Sequence, residues 1–137
     1  MTQDMKAGKG SIESRPYFEL IGLHADTGVP AGHSLLRLNS RSDLQNSRGS
    51  MHGGVIASML DAAVNVAVHS LLQNGEGVAT LSLTINYLLP GNGPLIAKGN
   101  VVRFGRTVSS AEAKVEDSSG RAVAHAIATV RVIIPRS

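Results

Sequence analysis

Residues 46–61, NSRGSMHGGVIASMLD, hold groups whose types and spacing could do polar chemistry: Asn46, the run His52-Gly53-Gly54, and Asp61. Two glycines at a helix start leave backbone N–H groups that no side chain shields, and the helix dipole adds positive potential there. Such a place suits an oxyanion or a polarised carbonyl. It equally suits a loop that needs glycine's freedom at positive φ, with His52 as a helix cap. Asp61 tips the balance towards chemistry. It falls two turns inside an apolar helix with no Lys or Arg within one turn, and an ionised carboxylate there is strongly disfavoured unless paired or used. Asn65, four residues on, and Ser58, three back, are the neighbours that could hydrogen-bond it.

Gly53 and Asp61 stand about 12 Å apart along an axis that rises 1.5 Å per residue. One carbonyl cannot touch both. A reaction using both needs a second copy of the chain, its helix antiparallel about a twofold axis so that each Gly53 faces the other chain's Asp61. The expectation is a dimer with two composite sites, or a tetramer built from such dimers.

The elements that must hold these groups follow from hydrophobic periodicity. From Gly53 to Leu72, Val55, Ile56, Met59, Leu60, Val64, Ala67, Val68, Leu71 and Leu72 surround the axis, which predicts a buried helix. Its polar side chains Ser58, Asp61, Asn65 and His69 form one narrow line. Beyond it the period becomes two. VATLSLTINYLLP predicts a strand with Ala79, Leu81, Leu83, Ile85 and Tyr87 on one face and Thr80, Ser82, Thr84 and Asn86 on the other. Further strands are expected at Leu95–Arg103, Val108–Glu116 and Arg121–Ile134, the last with Ala122, Ala124, Ala126 and Ala128 as a small-residue face that lets a helix lie close. Upstream, RPYFELIGL predicts a short helix with proline in its first turn, GHSLLRLN a strand, and residues 1–14 a loose tail ahead of one domain over 15–137. One strand, one long helix and four strands with hairpin-length connections predict an α+β domain whose curved antiparallel sheet wraps a central helix.

Composition narrows the partners. At 137 residues without cysteine, the chain has the size of a single domain with no disulfide, zinc ribbon or thiol nucleophile, and no His or acid set at metal-ligand spacing occurs. GxSxG, HExxH and P-loop patterns are missing, and DTG at 26–28 reads as a turn. A net charge of +3 without basic runs favours a small anionic ligand over nucleic acid, as do the two Tyr, two Phe and no Trp. No run reaches the roughly 20 apolar residues that span a bilayer, nor is there a signal peptide, so a cytoplasmic protein without membrane contact is expected.

The pattern of Asn46, His52-Gly53-Gly54 and Asp61, with TINYLLP at 84–90 and VVRFGRTVSSAEAKVEDSSGRAVAHA at 101–126, resembles the hot-dog-fold acyl-CoA thioesterases of the PaaI-like, phenylacetate-degradation branch. The resemblance spans residues 16–134 and implies the hot-dog fold. It also implies that Asp61 is nucleophile or general base, that the Gly53 N–H polarises the thioester carbonyl, and that Asn46 and His52 orient water or the leaving thiol. Thr80 falls where relatives place a serine hydroxyl near the carboxylate. Gly54 and Asn65 would line the substrate cleft, although Asn65 departs from the small residue expected there and could reshape the acyl pocket or hydrogen-bond Asp61. Coenzyme A would be a portion of the substrate and not a cofactor, its phosphates near Arg103 and Arg106. The rivals are a hot-dog hydratase or dehydratase using His52 with Asp61, and a non-catalytic acyl-CoA-binding module, which would need no carboxylate.

Overall fold

Ten of the 17 residues in the helix Gly53–His69 are buried, on every side of its axis, so the rest of the chain must surround it. A computed structural model describes residues 15–135, and the expected tail at 1–14 lies outside them. Helix α1 spans Pro16–Ile21, opens on proline and stops at Gly22, whose φ of 77° is the left-handed conformation glycine adopts freely. Strands β1 (His24–Ala25) and β2 (His33–Leu38), a 3-10 turn at Ser42–Leu44 and the long helix, now α2, follow. Strands β3 (Gly77–Tyr87), β4 (Leu95–Arg103), β5 (Val108–Asp117) and β6 (Ala122–Ile133) complete the chain. One antiparallel sheet in the order β1-β2-β4-β5-β6-β3 results, with α2 packed against β2 through β6.

Small residues let the helix approach. A Cβ at Gly99 would collide with the Ala63 carbonyl and with Ser34 Oγ, and Ser34 Oγ donates to that carbonyl at 2.7 Å. Ala97, Ala111, Ala113, Ala124, Ala126 and Ala128 are buried around this seam. Ala122, expected among them, is exposed, because the register shift at Val115/Glu116 turns Val123 inward in its place.

Three further expectations are corrected. Two strands, not one, precede the long helix: β1 is too short for a periodicity signal, yet it pairs His24 with Arg37 while Asp26 binds the Arg37 guanidinium at 3.0 Å. Helix α2 ends at His69, short of Leu72, because Ser70 Oγ donates to Ala67 O at 2.7 Å and the next two amides tighten onto Val68 and His69. Most consequential is a bulge in β3 between Thr80 and Ser82, which leaves Leu81 opposite no β6 residue and 55% exposed. The bulge reverses the inward phase. Val78 and Thr80 face the helix before it, Leu83 and Ile85 after it, so the strict alternation predicted across this strand does not hold.

Candidate active site

Asn46 ties the approach to the helix. Its Oδ1 accepts from the N–H groups of Arg48 at 2.9 Å and Ser50 at 3.2 Å, and its Nδ2 donates to Ser50 Oγ at 3.1 Å. Met51, 3% exposed, then anchors the chain through its N–H to Gly91 O, and the His52 N–H bonds Leu44 O. The structure thus gives the Asn46 amide a loop-closing place ahead of His52.

A helix start leaves four N–H groups without an i−4 carbonyl, here those of His52, whose partner is Leu44 O, Gly53, Gly54 and Val55. His52, extended at φ −59° and ψ 138°, accepts the Gly54 N–H on Nδ1 at 2.8 Å. Val55 and Ile56 both donate to His52 O, at 3.0 and 3.2 Å. Only the Gly53 N–H is left without a partner among the described residues. A Cβ at Gly54 would stand 3.1 Å from His52 Nδ1, so that glycine makes room for the cap and its amide is not available to a ligand.

Tyr87, absent from the candidate site residues read from sequence, covers this corner. Its hydroxyl donates to Gly53 O at 2.8 Å, and its ring lies 3.5 Å from where a Gly53 Cβ would be. Ser58 Oγ donates to Gly54 O at 2.9 Å and meets the Tyr17 hydroxyl at 2.9 Å. The Gly53 and Gly54 carbonyls are thereby held from two sides. The only available signal was Tyr87 at the strand's end, which gains meaning once β3 passes the helix start.

Two turns on, three side chains converge. Asp61 Oδ1 accepts from Thr80 Oγ1 at 2.6 Å and from Asn65 Nδ2 at 3.1 Å, and Asn65 Nδ2 also reaches Thr80 Oγ1 at 2.8 Å. Among the described residues Asp61 Oδ2 has no hydrogen-bond partner and no cation pairs with this carboxylate. At the far end of the polar line, burial and nearby Arg15 hold the His69 imidazole below its usual range.

Arg103 and Arg106 stand apart from this cluster. Both are exposed, at the end of β4 and in the loop after it. The register runs from Thr80 to Val130, Val130 to Ser109, and Ser110 to Arg103. Arg103 therefore lies at the same end of the sheet as Thr80, about 14 Å away across three strand spacings, and Arg106 follows in the loop.

A helix wrapped by one antiparallel sheet, carrying a carboxylate in its middle and an unpaired amide at its start, defines the hot-dog class of domain. The description Thioesterase superfamily matches residues 48–124, which include α2 and the Thr80 strand. The chain belongs to that family, an enzyme family of thioester hydrolases. It is 40% identical over 89 residues to a Halobacterium salinarum protein provisionally named an esterase, covering 61% of this chain and 59% of that protein's length. It is 29% identical over 140 residues to the medium/long-chain acyl-CoA thioesterase YigI of Salmonella typhimurium, covering 91% of this chain and 90% of the other. The E. coli PaaI protein, from the phenylacetic acid degradation operon, superposes with a TM-score of 0.80 over 91% of this chain and 88% of its own; at 20% identity that likeness is one of fold.

Proposed function

We propose that this chain hydrolyses acyl-CoA thioesters, aryl or medium-chain, to the free acid and coenzyme A. The observation that carries the reading is the state of the Asp61 carboxylate: Oδ1 is engaged by two donors while Oδ2 has no partner among the described residues. An oxygen so left can attack the thioester carbonyl carbon, or take a proton from the water that does. The Gly53 N–H supplies the donor where negative charge develops on the carbonyl oxygen. Collapse of that charge expels the thiolate, and water supplies the oxygen of the acid and the proton of the thiol. A hydratase would need a histidine working with the acid, whereas His52 spends Nδ1 on capping the Gly54 amide.

The site is shared between two copies of the chain. Support comes from the helix, which carries Gly53 at its first residue and Asp61 two turns on, and from β3, the sheet's terminal strand, which is 11 residues long and pairs on one side only. A second copy seated along that strand brings its own Gly53 to this Asp61. Among the described residues no helix is long and apolar enough to cross a membrane, and we place the reaction in the cytoplasm. Thiol release across aryl- and aliphatic-acyl-CoA substrates tests the activity. Asp61→Ala should lower turnover by about a hundredfold to ten-thousandfold, as loss of a general base does; a folded Asp61→Ala protein with wild-type turnover refutes the assignment.

A further inference from the structure

Asn65 lies only 6% exposed on α2, where the other buried residues are apolar, and its Oδ1 is buried with no hydrogen-bond partner among the described residues. An orphaned buried acceptor destabilises a fold, so the amide is not explained by stability. Its other end is fully used. Nδ2 meets Asp61 O at 2.7 Å, Thr80 Oγ1 at 2.8 Å and Asp61 Oδ1 at 3.1 Å.

The direction of each bond follows from the protons available. An amide nitrogen only donates, so Thr80 Oγ1 is the acceptor in its contact with Asn65. The one proton of the Thr80 hydroxyl is then left for Asp61 Oδ1, at 2.6 Å. Turning the amide over would set its oxygen against a carbonyl and a carboxylate and draw the Thr80 proton away from Asp61. We propose that Asn65 is a positioning residue: it directs the Thr80 hydroxyl onto Asp61 Oδ1 and confines the carboxylate to the rotamer that leaves Oδ2 as the reactive oxygen. The kinetic half of this inference rests on the thioesterase reading; the structural half does not.

Asn65→Leu keeps the side-chain size while removing both the donors and the orphaned acceptor. The expected result has opposite signs in two measurements. The thermal midpoint stays level or rises, while kcat falls about tenfold to a hundredfold, the range for losing a hydrogen bond to a charged acceptor. KM changes by less than about threefold, and adding Asn65→Leu to Thr80→Val costs less than about threefold more, because the two residues act through one bond. A crystal structure of Asn65→Leu should show Asp61 rotated away from Thr80 or in more than one rotamer. Asn65→Ala is the second variant should the leucine not pack, with the same loss of kcat. Wild-type kcat in either folded variant overturns the proposal, as do independent, multiplicative effects of Asn65 and Thr80. An unmoved Asp61 in the variant crystal overturns it as well. If the wild-type protein releases no thiol from any acyl-CoA, the thioesterase reading fails instead, and the Asp61 rotamer in the crystal still decides the role of Asn65.

Discussion

Gly53→Pro removes the single backbone proton to which the carbonyl-polarising role is given and leaves almost everything else in place. Gly53 is the first residue of α2, the helix position at which proline is favoured. The residue before a proline must be extended, and His52 already is, at φ −59° and ψ 138°. The Gly54, Val55 and Ile56 N–H groups keep their partners on His52, and the Tyr87 hydroxyl keeps the Gly53 carbonyl. The new Cβ stands 3.5 Å from the Tyr87 ring, an ordinary van der Waals distance. Stability should therefore hold or rise by about 0.4–1 kcal/mol, since proline narrows the unfolded ensemble. Turnover should fall about a hundredfold to a thousandfold, as when one oxyanion donor is lost, or about 2.7–4 kcal/mol of transition-state stabilisation. Gly53→Ala is the control: it adds the same Cβ, keeps the N–H, and should retain turnover close to that of the wild type. The assay is initial thiol release at saturating acyl-CoA, beside a thermal melt of each variant. A folded Gly53→Pro enzyme with wild-type turnover would show that the free amide takes no part in the reaction.

Co-expressing Asp61→Ala with Gly53→Pro subunits should regenerate one intact site per heterodimer and recover up to about half the wild-type activity per dimer, since two isologous sites divide the lesions; verified heterodimers no more active than either homodimer would refute the shared site. Asp117 is held below the usual carboxylate range by the Arg121 and Ser119 N–H groups and the Arg121 guanidinium, which close the β5–β6 turn at 2.9–3.0 Å. With its folded value lower than the unfolded 3.8, it stabilises the fold above about that pH and loses this as the pH falls through the folded value. The thermal midpoint gap between wild type and Asp117→Asn should be clear at pH 6 and close below pH 3.8; a gap unchanged across that range counts against it. Met59, fully buried on α2, should lose about 2–5 kcal/mol on replacement by Ala, read from urea midpoints.

Helix α2 was legible from the residues because its information is local. Apolar side chains at helical spacing, two glycines at the start and one line of Ser58, Asp61, Asn65 and His69 specify a buried helix with one polar stripe wherever it packs. Turn residues likewise marked where β4, β5 and β6 begin and end to within a residue or two. Asn65 was legible as a partner of Asp61 from its spacing of four on the helix, whereas Thr80, its other partner, was legible only through the likeness to a family, and strand periodicity alone placed it on the wrong face. The bulge at Leu81 arises from pairing with β6, a strand some 50 residues away, and no pattern within β3 announces it. Tyr87 over Gly53, and the division of the helix-start amides that leaves one free, depend in the same way on how closely the sheet folds back on the helix. Period-2 and period-3.6 patterns are set by backbone geometry within one element, whereas register shifts and contacts between elements are chosen by the packing of all of them together.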